Sequence, residues 1–99
     1  MAVTCESRAH LIIHGIVQGV SFRWHARQVA ERLRLGGWVR NLPTGEVETV
    51  VEGPAAAVEE FVAWCGHGPP AARVDRVDAT REPPRGEAPF TVLRGTAHP

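Results

Sequence analysis

An α+β sandwich, with two helices on one face of an antiparallel sheet, is the fold class that this 99-residue sequence predicts. Three observations predict it. Apolar residues form short or alternating runs of strand type at four places, and they recur at helical spacing at two others. The two kinds of segment follow one another as strand, helix, strand, strand, helix, strand, with a short extra edge strand at the C-terminus.

The first strand is read over residues 10–14, His-Leu-Ile-Ile-His, an apolar run holding two isoleucines. A loop with glycines at 15 and 19 follows. From Phe22 the period changes: Phe22, Ala26, Val29, Ala30 and Leu33 fall on one helical face, and Arg27, Gln28, Glu31 and Arg32 on the other. Ser21 is the expected N-cap, and Gly36-Gly37 the expected left-handed stop. Trp38-Val39-Arg40-Asn41 reads as the second strand, closed by a type I turn at Leu42-Pro43-Thr44-Gly45. Val47, Thr49 and Val51 alternate with Glu46, Glu48 and Val50 along the returning strand.

The second helix is expected to start at Gly53-Pro54, with proline in its first turn and a stripe of Val58, Phe61, Val62 and Cys65. Glu59 and Glu60 read as its solvated face, not as paired catalytic acids. Gly66-His67-Gly68-Pro69-Pro70 breaks the helix. The fourth strand falls within residues 72–80, where the alternation slips between Val74 and Val77 and predicts a bulge. Residues 81–89, with three prolines and a glycine, read as loop, and Phe90 and Val92 mark the last short strand. This order is the ferredoxin-like, split βαβ arrangement. One domain over residues 1–99, with its core at about 9–94, is expected, and a chain of this size buries roughly 65% of its unfolded surface.

Composition narrows the function. Eleven basic residues balance 11 acidic ones, which argues against a nucleic-acid or membrane-surface partner. No apolar run approaches the roughly 20 residues that span a bilayer, and no leader pattern opens the chain, so a cytoplasmic protein is expected. Cys5 and Cys65 are expected to be free thiols. His10, His14, His25, His67 and His98 lack ligand spacing and read as non-metal residues.

Two segments carry candidate chemistry. Between a strand end and a helix start, the loop from Gly15 presents unpaired N–H groups at the positive end of the helix dipole. Gly15 and Gly19 allow those groups to turn inward. Arg23 lies in the first helical turn, and side chains there lean back toward the N-terminus, so its planar fork reaches the same point as the loop amides. An ordinary turn with a solvated arginine fits the same spacing, and the residues alone leave that alternative open. Asn41, by position alone, reads as a strand end feeding a turn.

The motifs add to this. His14-Gly15-Ile16-Val17-Gln18-Gly19-Val20-Ser21-Phe22-Arg23 resembles the acylphosphatase signature Gly-x-Val-Gln-Gly-Val-x-Phe-Arg. Gly37-Trp38-Val39-Arg40-Asn41-Leu42-Pro43-Thr44-Gly45-Glu46-Val47 is similar to that family's second signature, Gly-x-Val-x-Asn-x-x-x-Gly-x-Val. Glu52-Gly53-Pro54 and Ala72-Arg73-Val74-Asp75 also resemble family positions, and the likeness runs from about residue 9 to 92. The resemblance implies the ferredoxin-like fold and hydrolysis of the carboxyl–phosphate bond of acyl phosphates, without metal, cofactor or covalent intermediate. It implies that Arg23 binds the phosphate, that the backbone amides of Gln18, Gly19, Val20, Ser21 and Phe22 cradle it, and that Asn41 orients the water. The sequence departs from the pattern at Ser21, where many members carry a larger residue, and at Leu93 and Arg94, where an aromatic ending is common. These departures bear on stability or substrate range.

Phosphoryl transfer needs positioning and charge stabilisation more than covalent help, so an arginine and an amide suffice in principle. The alternative is a non-catalytic phosphate- or nucleic-acid-binding module on the same fold. An RNA binder would expose aromatics on its central strands, whereas here they carry Leu, Ile, Val, Thr and Glu. A further rival is a module of a larger carbamoyl-transferring maturation protein, but the zinc-finger-like Cys pairs that follow such modules do not occur before Pro99. A stand-alone monomeric enzyme is the expectation, with a small acyl phosphate as substrate and inorganic phosphate as product.

Overall fold

Alternation along the first strand sets the architecture. Ala9, Leu11 and Ile13 are fully buried, while His10, Ile12 and His14 between them face the other side and stay partly open. The computed structural model describes residues 6–96. Its elements are β1 (Glu6–Ile16), α1 (Phe22–Arg32), β2 (Gly36–Asn41), β3 (Val47–Pro54), α2 (Ala55–Cys65), β4 (Arg73–Glu82) and β5 (Thr91–Thr96). They form one sheet in the order β4-β1-β3-β2-β5. Helix α1 packs on β2 and β5, α2 packs on β1 and β3, and the helices touch each other, so both cover one face. Between the layers lie Phe22, Ala26, Val29, Val39, Val47, Val51, Val58 and Phe61. Thr49 belongs to the same buried row, and its hydroxyl donates to the Trp38 carbonyl at 2.7 Å.

The predicted α+β, ferredoxin-like architecture is the observed one, with four differences of detail. First, the sheet is mixed: β5 runs parallel to β2, whereas the other pairs are antiparallel. Residues 83–90 carry the chain from one sheet edge to the other, so β5 starts at the end where β4 stops. Four strand spacings amount to about 19 Å, and eight residues reach at most about 29 Å. Second, β1 extends well beyond residues 10–14 at both ends, because it is central and pairs with both β3 and β4.

Third, α1 stops at Arg32 and not at the glycine pair. Arg34 takes the left-handed conformation at φ 59°, with Arg34 N–H donating to Glu31 (3.0 Å) and Leu35 N–H to Ala30 (2.9 Å). That is a Schellman closure with arginine in the position where glycine is usual, and burial of Leu35 holds it shut. Gly37 is instead needed inside β2, since at its φ of 134° a Cβ would sit 1.9 Å from the Val50 carbonyl oxygen. Fourth, Pro54 ends β3 in an extended conformation immediately before α2 and so lies outside its first turn.

The slip in β4 is a bulge, with His14 paired to Arg76, Gly15 to Val74, and Asp75 left over. Cys65 is a buried free thiol whose pKa burial pushes up, and Glu59 and Glu60 are exposed. Cys5 and His98 lie outside the described residues.

At the end of the sheet where β4 stops, a buried ion cluster pins the crossing loop. Arg8, 4% exposed, binds Glu52 (3.3 Å), Glu82 (2.8 Å) and Glu87. The Glu52 carboxylate also accepts the N–H groups of Arg85 (2.8 Å) and Gly86 (2.7 Å). Burial works to raise the Glu52 pKa, but those amides and Arg8 outweigh it and hold the carboxyl below its usual value of 4.5. A depressed carboxylate pKa gives stability that is present above the unfolded value and lost as pH falls through the folded one. Stability in denaturant is therefore expected to hold from pH 7 to about 5 and to fall below 4.5. Glu52→Gln should cost about 1–3 kcal/mol at pH 7 and flatten that acid loss. A variant as stable as the parent at pH 7 would show that the cluster contributes nothing.

Candidate active site

The opposite end of the sheet is built from the β1–α1 loop, the end of β2 and the backbone of β5. Gly15 is where β1 turns out of the sheet at the β4 bulge: its φ is 133°, and a Cβ there would lie 2.1 Å from the Arg73 carbonyl oxygen. Val17, 1% exposed, then plugs the loop into the core. The Gln18 side-chain amide donates to the carbonyls of Leu42 (2.7 Å) and Glu46 (2.9 Å). That fastening ties the loop to the β2–β3 turn directly after Asn41. The turn itself is the expected one, with Gly45 N–H donating to Leu42 at 3.1 Å.

Across the loop the sign of φ alternates. Gly19 (74°) and Ser21 (63°) are positive, and Gln18, Val20 and Phe22 are not. Such alternation curls consecutive N–H groups toward one point and makes an anion-binding concavity. Among the described residues, no N–H from Gln18 to Phe22 donates to a carbonyl or side chain. Ser21 occupies the N-cap position as the sequence suggests, but it is left-handed and its hydroxyl makes no capping bond. Its carbonyl instead accepts His25 N–H at 3.1 Å. Phe22 is buried, with its ring 5.3 Å from that of Trp64, and this fixes where α1 begins.

Arg23, one residue into α1, is half-buried, and its Nη1 donates to the Leu93 carbonyl of β5 at 3.0 Å. That bond holds the guanidinium by one nitrogen and leaves the rest of the fork to the cavity. Asn41, also half-buried, ends β2 opposite Val47. A cavity of about 520 Å³ is lined by Arg23, Asn41, Gly19, Ser21, Phe22 and Val17, together with Trp24, Arg27 and Val92. Among the described residues no carboxylate lines it, and the N-terminus of α1 adds to its positive potential.

Of the sequence-predicted residues, Arg23, Asn41, Gly19, Ser21 and Phe22 thus border one space. Gln18 and Val20 are not among the residues that line it, and their side chains turn to the β2–β3 turn and to the core. Sequence reasoning missed the Gln18 fastening, the Leu93 carbonyl, and Trp24 and Arg27. Arg27 had a legible signal, because it stands four residues after Arg23 and shares its helical face.

Comparison with known proteins shows the family and the fold. The family model described as Acylphosphatase matches residues 9–92. The chain is similar to an acylphosphatase of Gloeobacter violaceus, 52% identical over 88% of this chain and 94% of that protein. It also resembles the structure of an acylphosphatase from Coxiella burnetii, with a TM-score of 0.87 and 36% identity over 94% of this chain and all of that one. Full-length HypF, in a phosphate- and nucleotide-bound form, carries a similar region, with a TM-score of 0.86 and 26% identity over 12% of its length.

Proposed function

The chain belongs to the acylphosphatase family and hydrolyses the carboxyl–phosphate bond of acyl phosphates, and we propose that it does so by direct attack of a water molecule on phosphorus. The observation that carries this reading is one shared cavity, lined by no carboxylate among the described residues, on which Arg23, Gly19, Ser21, Phe22 and Asn41 border. In the proposed cycle the amides of Gln18 to Phe22 and the Arg23 guanidinium take the phosphoryl oxygens, and the Asn41 side chain orients the water. The water oxygen bonds to phosphorus as the bond from phosphorus to the acyl oxygen breaks. The electron pair leaves with the carboxylate, and the water proton passes to a phosphoryl oxygen.

No general acid is needed, because the leaving carboxylate has a conjugate-acid pKa of about 4. No general base is called for either, since an amide does not titrate near neutrality and acts through its hydrogen bonds. Negative charge on the equatorial oxygens meets preorganised donors at the point where it must be held.

Hydrolysis of acetyl phosphate in ¹⁸O-water tests the bond that breaks. The label is expected in inorganic phosphate and absent from acetate; label in acetate would mean attack at the carbonyl carbon and would overturn the mechanism. We also propose that the protein acts as a cytoplasmic monomer without a nucleic-acid partner; its zero net charge argues against a nucleic-acid surface. Among the described residues no helix is long and apolar enough to cross a membrane.

A further inference from the structure

Arg27 stands four positions after Arg23, which is about 6 Å along the axis of α1. Both side chains border the cavity, but only Arg23 stands in the first turn, beside the loop amides. A phosphoryl group held at the loop is therefore within reach of Arg23, and Arg27 lies deeper along the helix, where the acyl end of a substrate would extend. Arg27 borders the same space as Arg23, one turn further along the helix.

The ordinary reading of Arg27 is a surface ion pair with Glu31 one turn on, and its Nε does donate to Glu31 Oε2 at 3.0 Å. Both partners are 53% exposed, however, and such a pair holds its members weakly. The terminal nitrogens of Arg27 make no hydrogen bond among the described residues. Glu31 is not among the cavity residues, so of this exposed pair only the cation borders the cavity. Beside it Trp24, 55% exposed, gives the cavity an apolar wall, with its ring edge-on to His25 at 4.9 Å.

We infer that Arg27 is a specificity-determining residue and that this enzyme favours acyl phosphates whose acyl group carries a second anionic group. The inference rests on the phosphate-at-the-loop reading of the site. A carboxylate two methylenes beyond the acyl carbonyl spans the step from the Arg23 end of the cavity to Arg27, with the methylenes against Trp24. A neutral acyl group leaves Arg27 unused.

The test compares kcat/KM for succinyl phosphate and acetyl phosphate in the wild type, Arg27→Gln and Arg27→Lys. The wild-type ratio should favour succinyl phosphate. Arg27→Gln should lower that ratio about fivefold, Arg27→Lys should keep part of it, and added salt should erode it in the wild type. An unchanged ratio in Arg27→Gln overturns the inference, whether both rates stay level or both fall together, since a common fall would mean that Arg27 serves the phosphate. Failure of the underlying reading is distinguishable, because Arg23→Ala would then turn over both compounds at near the wild-type rate.

Discussion

Arg23→Ala is expected to lower kcat/KM for a simple acyl phosphate by at least about 10³-fold, the lower end of what an arginine contributes to a transferring phosphoryl group. The size follows from the site. Apart from the α1 N-terminus and the loop amides, Arg23 is the charge at the phosphate end, and no carboxylate lining the cavity offsets it. Its hold on the Leu93 carbonyl orients the fork before substrate arrives, so little reorganisation is left for the transition state. Inhibition by inorganic phosphate should weaken in the same variant. Arg23→Lys should recover only a small part of the rate, because an ammonium restores the charge but not a planar pair of donors. Circular dichroism should show an intact fold, since the bond lost is one exposed contact to β5. Near-normal turnover in the folded alanine variant would sink the site assignment.

Local signals were readable from the sequence, and long-range ones were not. The slip between Val74 and Val77 predicted the β4 bulge because alternation is a property of neighbours, and a single extra residue inverts it. The proline and glycine of residues 42–45 predicted their turn for the same reason. By contrast, the direction of β5 depends on where residues 83–90 cross the sheet, and no periodicity encodes a crossing. Arg34 hid the end of α1 because a residue forced into the left-handed region by tertiary packing carries no mark in its identity. Arg8 lies outside the strand read over residues 10–14, and only the β1–β3 register reveals it and Glu52 as a buried pair.

The candidate site shows the same division. Arg23 was legible as an anion ligand from helix geometry. Gln18 was assigned a backbone role alone, because the carbonyls that hold its side chain lie 24 and 28 residues away. Asn41 was visible only through the resemblance to a family motif. On its own, an asparagine ahead of a turn is what any turn would use.

Asn41→Ala is for that reason the sharper test of mechanism. If Asn41 is merely a turn residue, its loss should disturb the β2–β3 turn, and through Gln18 the loop, so that phosphate affinity and kcat fall together. If it orients water, kcat should fall about 10²- to 10³-fold, the range for one misplaced reactant or one lost donor, while inhibition by phosphate stays near the parent value. The turn has its own closure in the bonds of Leu42 and Gly45, and Gln18 grips backbone carbonyls and not the Asn41 side chain. The geometry therefore favours the second outcome. Asn41→Asp separates the remaining ambiguity. Its carboxylate can still accept from a water but no longer donates, and it brings a negative charge toward the bound phosphate, so kcat should stay low and phosphate affinity should now drop as well. Loss of phosphate binding in Asn41→Ala with kcat intact would contradict the water-orienting role and would leave Arg23 and the loop amides as the whole of the machinery.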